Sequence, residues 1–271
     1  MPITTYPLDC GELHILDLDA DEYGNFIALM NNMEVWWNSM QLTLPYQFNY
    51  AWIRELDAER FLIIGEQVGN PDTGHIFDYT GRKLLSFNAG EYIEDVLVQA
   101  NRIVVAYFDQ AAGERSPTGD GIAVFDFEGQ QVFGYVSGGH GFILACYCIC
   151  KQDNDSVLAY TYTGFPLQEL RLTDYRLTQQ PTPVDFKGSY ALTSDRDNVI
   201  FYSSYEDHYS FFWWNRKDRM QRFGHFKLGP RGKLAARIRG IGAGKFLVYD
   251  LHSFSIVDAM EMLREEGFHK K

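Results

Sequence analysis

A loose internal repeat of about 45 residues constrains this chain more than any other feature, because that period belongs to four-stranded blades rather than to helical solenoids. Each unit reads as two apolar strands, the second ending in aromatic or acidic residues, then a third strand, a tight turn and a fourth. The third unit shows the pattern best, with Tyr92-Ile-Glu-Asp-Val-Leu-Val98, Arg102-Ile-Val-Val-Ala-Tyr107, Gly121-Ile-Ala-Val-Phe125 and Gln131-Val-Phe-Gly-Tyr135 as strands. Between the last two lies Asp126-Phe-Glu-Gly129. There an Asp can bond the backbone and a Gly tolerates positive φ, which makes a hairpin turn.

The second unit repeats the design with Trp52 to Leu56, Phe61 to Ile64, His75 to Phe77, the turn Asp78-Tyr-Thr-Gly81, and Lys83 to Phe87. The fourth runs through Phe142 to Tyr147, Val157 to Tyr162, Leu167 to Leu172 and Arg176-Leu177. The fifth has Tyr190 to Leu192, Val199 to Tyr202, Tyr209 to Trp214, a turn at Asn215 to Asp218, and Met220 to Phe223. The ends are less regular. Leu13 to Leu18, Asn25 to Leu29 and Met33 to Trp37 make a first blade, and Ala236 to Ile241, Lys245 to Tyr249 and Ser253 to Val257 a sixth. Ile3-Thr-Thr-Tyr6 is the expected outer strand of that last blade, since pairing the two ends of the chain removes an exposed edge. Asp258 to Glu266 has helical spacing and no β-branched residue.

The expected fold is all-β, a six-bladed β-propeller of four-stranded antiparallel blades in a single domain over residues 1–271, with a short C-terminal helical tail. Five blades stay open as an alternative, because both end units are irregular. A two-sheet sandwich would leave the period unexplained. With 46% hydrophobic and 15% aromatic residues, the chain has enough apolar material to fill such a core.

Charge and cysteine usage narrow the setting. A formal net charge of −12 argues against nucleic acid, because phosphate binding needs clustered cations. The local exception is Arg216, Lys217, Arg219, Arg222, Lys227, Arg231, Lys233, Arg237 and Arg239. This cluster reads as a solvated face, and the contrast with an acidic whole suits steering of a protein partner. No run of eighteen apolar residues occurs and the first residues lack the pattern of a signal peptide, so no membrane association and a cytoplasmic location are expected. Cys146, Cys148 and Cys150 alternate along one strand, so they share a face and cannot all pair with Cys10. Buried free thiols are expected.

The stretch Glu94-Asp-Val-Leu-Val-Gln-Ala-Asn-Arg-Ile-Val-Val-Ala-Tyr-Phe-Asp109, followed by Gly121-Ile-Ala-Val-Phe-Asp126, Ala145-Cys-Tyr147 and Ala159-Tyr-Thr-Tyr-Thr-Gly-Phe-Pro166, resembles a group of uncharacterised bacterial β-propeller-like proteins. The resemblance covers about the middle third of the chain; it implies a propeller and a bacterial origin and brings no activity. Where that group has Asp before Cys-Tyr, this chain has Ala145. The Asp-x-x-Gly turns also resemble those of NHL-type repeat propellers.

In a propeller the loops after each second strand gather on one face. Those positions here are Gly65-Glu66-Gln67, Tyr107-Phe108-Asp109, Tyr162 to Phe165, Tyr205-Glu206-Asp207-His208 and Asp250 to His252. They predict an acidic, aromatic rim with Glu66, Tyr107, Asp109, Tyr162, Tyr205, Glu206, Asp207 and Asp250 as binding candidates. Ordinary polar loops with core tyrosines would read the same way. Either Glu94 or Asp95 must face inward by strand alternation, and Asp95 joins His140 as a further candidate pair at the channel end. The Gly- and Pro-containing excursion from Gln110 to Asp120 is an expected binding loop.

No nucleophile elbow, His-Glu-x-x-His, phosphate-binding glycine loop or paired Cys knuckle appears. Gly138-Gly-His-Gly141 reads as a turn between blades, and the Trp36-Trp37 and Trp213-Trp214 pairs as packing, since strand neighbours point to opposite faces. These readings favour a non-catalytic propeller that docks a protein, one version being an inhibitor or immunity protein against a basic toxin. The alternative is a metal-assisted hydrolase or lyase at the channel mouth, with Glu66, Asp95, Asp109 and Asp250 collecting calcium or acting as acid and base. Sugar binding through exposed aromatics is a third. No cofactor is expected, calcium being the one candidate.

Overall fold

The computed structural model describes residues 2–227 and 237–267, and in them each repeat unit becomes a four-stranded antiparallel sheet. The chain is a six-bladed β-propeller. It opens with β1 (Ile3–Pro7), which belongs to the last blade. Blade 1 is β2 (Ile15–Ala20), β3 (Phe26–Met30), β4 (Glu34–Trp37) and β5 (Met40–Thr43). Blade 2 is β6 (Phe48–Glu55), β7 (Arg60–Gln67), β8 (Gly74–Asp78) and β9 (Lys83–Phe87). Blade 3 is β10 (Ile93–Gln99), β11 (Arg102–Tyr107), β12 (Ile122–Phe125) and β13 (Gln131–Gly134).

Blade 4 is β14 (Ala145–Lys151), β15 (Ser156–Tyr162), β16 (Leu167–Arg171) and β17 (Leu177–Gln180). Blade 5 is β18 (Ala191–Asp195), β19 (Asn198–Tyr202), β20 (Ser210–Trp214) and β21 (Met220–His225). Blade 6 is β22 (Arg237–Gly242), β23 (Lys245–Tyr249) and β24 (Ser253–Asp258), with β1 as its outer strand in the register Ile3 to Val257 through Pro7 to Ser253. The helix α1 (Ala259–Glu265) follows, and the Asp258 side chain accepts the Glu261 N–H at 2.8 Å as its N-cap.

The chain divides into two compact units, one of residues Cys10–Cys146 and one of residues up to Asp9 with those from Tyr147 onward. In the first, the second strand of a blade feeds two cores. Phe61 and Ile63 of β7 pack with Ile27, Leu29, Val35 and Ile53, while Leu62 and Ile64 pack with Val96, Ile103, Val105 and Phe125. That double burial explains why second strands read as unbroken apolar runs. Each such side chain contributes roughly 1.5–3 kcal/mol on burial. The second unit repeats the device: Val199 and Phe201 of β19 face Leu158 and Tyr160, and Ile200 and Tyr202 face Phe246, Val257 and Leu263.

The turns are those the sequence predicts. Asp126 Oδ1 accepts the N–H groups of Glu128 and Gln130 at 3.0 and 2.8 Å, and Gly129 takes φ +76°. Two local expectations shift. The first strand of blade 4 begins at Ala145 rather than Phe142, because the Gly138 to Gly141 turn runs on with Gly141 at φ +111° and leaves Phe142 exposed. Blade 1 has a fourth strand, β5, beyond the three expected; it is mostly exposed and only four residues long, so its alternation of Met40 and Leu42 with Gln41 and Thr43 is too short to stand out. Ala236, Arg231 and Lys233 lie outside the described residues. All four cysteines are free and buried. Among the described residues no helix is long and apolar enough to cross a membrane.

Candidate functional site

The unit of residues 10–146 carries a cavity of about 410 Å³. Tyr50, Trp52, Tyr92 and Phe108 form its aromatic walls, Glu66 and Glu91 are its two charged residues, and Gly65, Thr73, Gly90 and Ile93 complete it. The shape follows from two irregularities of the chain. On β6 the register slips between Asn49 and Trp52, so that Tyr50 and Ala51 together oppose the single residue Gly65 of β7. This is a β-bulge, which bends a strand and re-aims a side chain. Tyr50 takes φ +51° there and is 87% exposed. Gly65 is required opposite it, because a Cβ would stand 2.9 Å from the Ala51 Cα.

The other wall is the connection from β9 to β10. Tyr92 also takes positive φ, +56°, and its ring meets Phe108 edge-on with centroids 5.8 Å apart. The connection is held by two hydroxyls. Thr73 Oγ1 donates to the Gly90 carbonyl at 2.9 Å and accepts the Ala89 N–H at 3.1 Å, and Thr118 Oγ1 accepts the Glu91 N–H at 3.0 Å. Non-Gly residues at positive φ cost about 1–3 kcal/mol and persist only where their surroundings impose them. Tyr50 and Tyr92 are two such residues, and both line the cavity. Neither Glu66 nor Glu91 has an ion-pair partner among the described residues, in contrast to Asp57, Asp78, Asp174 and Asp207, each paired with an arginine.

Beside this cavity lies a buried charge cluster. The Arg54 guanidinium is 5.4 Å from the Trp52 ring centroid and 1% exposed. It donates to Asp17 Oδ2 at 2.6 Å, to Asp95 Oδ1 at 3.3 Å, and to the carbonyls of Ile53 and Val96 at 2.5 Å each. Asp17, Arg54 and Asp95 come from the first strands of three successive blades, so the cluster ties those strands together, with Trp52 beside it.

No family model matches this sequence. A search of curated proteins also returns no match. Solved structures do resemble it: Hsv2 of Kluyveromyces lactis (14% identity, 89% of this chain and 74% of that chain, TM-score 0.58), YCF48 bound to D1 peptide (9% identity, 95% and 97%, TM-score 0.54), and virginiamycin B lyase from Staphylococcus aureus (9% identity, 94% and 98%, TM-score 0.51). At these identities the likeness is one of fold.

The propeller distributes the sequence candidates over several places. Glu66 alone lines the cavity. Asp95 is committed to Arg54 rather than to His140, whose exposed ring lies against Phe133 and Tyr135 with centroids 5.3 and 5.8 Å away. Tyr107 is a core residue, fully buried, with its hydroxyl donating to the Ala89 carbonyl at 2.6 Å; burial holds that hydroxyl far above the usual phenol range. Asp109 is exposed at the start of a 3-10 turn, and Asp250 shapes its own turn by accepting the N–H groups of His252 and Ser253 at 2.9 and 2.8 Å. Tyr162 and Tyr205 do come together in the other unit: Phe165 lies between them at 5.3 and 5.7 Å, and Tyr205 and Tyr147 share a hydroxyl hydrogen bond. Glu206 is exposed, and Asp207 is bound by Arg222, whose guanidinium lowers its pKa.

The excursion from Gln110 to Asp120 is a buttress for the cavity. Its Asp120 carboxylate is buried and accepts from Ser116, Gln131 and the Ser137 N–H at 2.5, 2.7 and 2.7 Å, and its Thr118 holds Glu91. Among the described residues no three His, Cys, Asp or Glu side chains stand close enough to hold a metal ion. Sequence reasoning missed Tyr50, Glu91 and Tyr92 as site residues. The signal available was Gly65 directly before Glu66 and Gly90 directly before Glu91, each a place where the backbone comes too close for a side chain.

Proposed function

We propose that this propeller is a non-catalytic binding protein and that it docks a segment of a protein partner in the cavity between Tyr50 and Tyr92. The observation that carries the proposal is the pair of carboxylates Glu66 and Glu91, which have no ion-pair partner among the described residues, set among four aromatic rings in one cavity. Pockets of this kind offer apolar area with a few convergent polar groups, which is what a bound segment needs for affinity and orientation. YCF48, a propeller of similar fold, is solved with a peptide bound, so the architecture admits that use. A finer version is an inhibitor or immunity protein that neutralises a basic toxin, for which the formal charge of −12 supplies attraction at a distance. The hydrolase or lyase alternative rests on the fold of the lyase neighbours alone.

The test is affinity capture from a lysate of the host with the wild-type chain and with a Glu66→Lys/Glu91→Lys variant side by side. A partner held by the first and lost by the second supports the reading. A partner held equally by both places the docking surface elsewhere. Coexpression with a candidate basic toxin tests the finer version, which requires protection of the cells by the wild type and its loss in the variant.

A further inference from the structure

The chemistry of the cavity narrows what the docked segment must present. We infer that the cavity reads an arginine side chain, its guanidinium lying against an aromatic wall and pairing with Glu66 or Glu91. This rests on the reading of the cavity as the docking site. Three features of the molecule converge on it. Both charged lining residues are acids, and no Lys, Arg or His is among the described residues that form the cavity. The walls are aromatic, and a cation over an aromatic face gains about 0.5–2 kcal/mol, the more so where water is displaced. The Arg54 guanidinium beside Trp52 is paired with Asp17 and Asp95, so its charge is met within the buried cluster and does not oppose a cation in the cavity.

Arginine fits better than lysine on physical grounds. A guanidinium is planar, weakly hydrated and able to stack on a ring while its edge donates to a carboxylate, whereas an ammonium is a compact, strongly hydrated point charge. The Tyr92 and Phe108 rings meet at 82°, so one ring's face can take the guanidinium while the other borders its edge. A volume of about 410 Å³ exceeds one arginine side chain, which leaves space for the backbone and a neighbouring residue of the segment.

The probes that isolate this chemistry are N-acetyl-arginine methylamide, its lysine counterpart, and its citrulline counterpart, which keeps the shape and loses the charge. Binding is read from the Trp52 indole N–H resonance of the full chain, assigned with a Trp52→Phe variant. The expected result is a saturable shift with the arginine probe, affinity weaker by about tenfold or more with citrulline and severalfold weaker with lysine. The arginine shift falls away in a Glu66→Gln/Glu91→Gln variant that retains the wild-type thermal midpoint, and weakens with added salt. Equal affinity for citrulline, tighter binding of lysine, no saturable shift with arginine, or an unchanged response in the double variant would each overturn the inference. The two readings fail separately: a captured partner that is lost on Glu66→Lys/Glu91→Lys while the arginine probe stays silent leaves docking intact and removes arginine as what is read, whereas a partner captured equally by both chains removes the docking proposal.

Discussion

Arg54 is the residue with most at stake. Its guanidinium is buried, yet it meets Asp17, Asp95 and two backbone carbonyls, and Asp17 Oδ2 also accepts the Ile53 N–H at 2.7 Å. Removing one partner of such a cluster strands the others, at a cost of about 3–5 kcal/mol, more than any exposed ion pair contributes. Arg54→Ala is therefore expected to lower the urea midpoint by that equivalent, and Asp95→Asn, at the longer 3.3 Å contact, by less. Equal and small losses would show that water replaces the cluster. His75 gives a pH signature of its own. Burial, with Lys83 adding to it, pushes its imidazole down to about 4, from an ordinary value of 6.5. The unfolded chain then binds the proton that the folded chain refuses, so this contribution is whole above pH 6.5 and is lost as pH falls towards 4. Urea midpoints measured from pH 7 to 4.5 should fall by on the order of 2 kcal/mol through this group. His75→Gln should flatten that slope; an unchanged slope would assign it to the carboxylates. Neither residue was legible beforehand. Arg54 sits in the sequence as an ordinary strand position, and its partners lie 37 and 41 residues away, one blade to either side.

At the scale of elements, first strands carry irregularities that the alternation of side chains cannot reveal. Registers shift between Ile15 and Asp17 in β2, between Asn49 and Trp52 in β6, and between Ile93 and Asp95 in β10. The bulge in β6 makes the cavity, and Gly65 permits it. A Cβ at Gly65 would press on Ala51 Cα at 2.9 Å and the Asn49 carbonyl at 3.0 Å, both backbone atoms with little freedom to move. Gly65→Ala should consequently cost on the order of 1–3 kcal/mol and displace Tyr50, weakening partner capture beyond what the lost stability explains. Capture equal to wild type at matched folded fraction would separate the bulge from the site. The strands themselves were legible, because apolar runs and Asp-x-x-Gly turns are local signals. The cavity was legible only in part. Glu66 follows from its place at the end of a second strand, but Glu91 and Tyr92 precede a first strand, and only the third dimension brings them to Tyr50. Tyr107 shows the opposite error: an aromatic at a strand end looks like a rim residue in sequence, and burial makes it core.

For the molecule as a whole, the pairing of its first described strand with its last is the feature that sequence and structure share most directly. β1 lies along β24 from Ile3 to Pro7; Tyr6 stacks on Phe254 with centroids 4.7 Å apart, Thr5 and Ser255 share a hydrogen bond at 2.9 Å, and Leu8 donates to the His252 carbonyl at 2.9 Å. A strand without this partner presents a row of unpaired N–H and C=O groups, which is a template for pairing with another chain. Deleting residues 2–7 should destabilise the protein by on the order of 3 kcal/mol, the sum of one aromatic stack, the burial of Ile3 and Tyr6, and the strand pairing. The shortened chain should also form concentration-dependent oligomers through the uncovered β24 edge, seen by light scattering, while the full chain keeps its mass on concentration. A synthetic peptide of residues 2–8 should restore both stability and mass when added in excess, since it supplies the missing strand by augmentation. A peptide with Ile3 and Tyr6 replaced by Lys should fail to do so, because those residues carry the apolar contacts of the pairing. If the shortened chain keeps its midpoint and its mass, β1 decorates the sixth blade without completing it, and the stability of that blade has to be sought in β22, β23 and the capped helix instead.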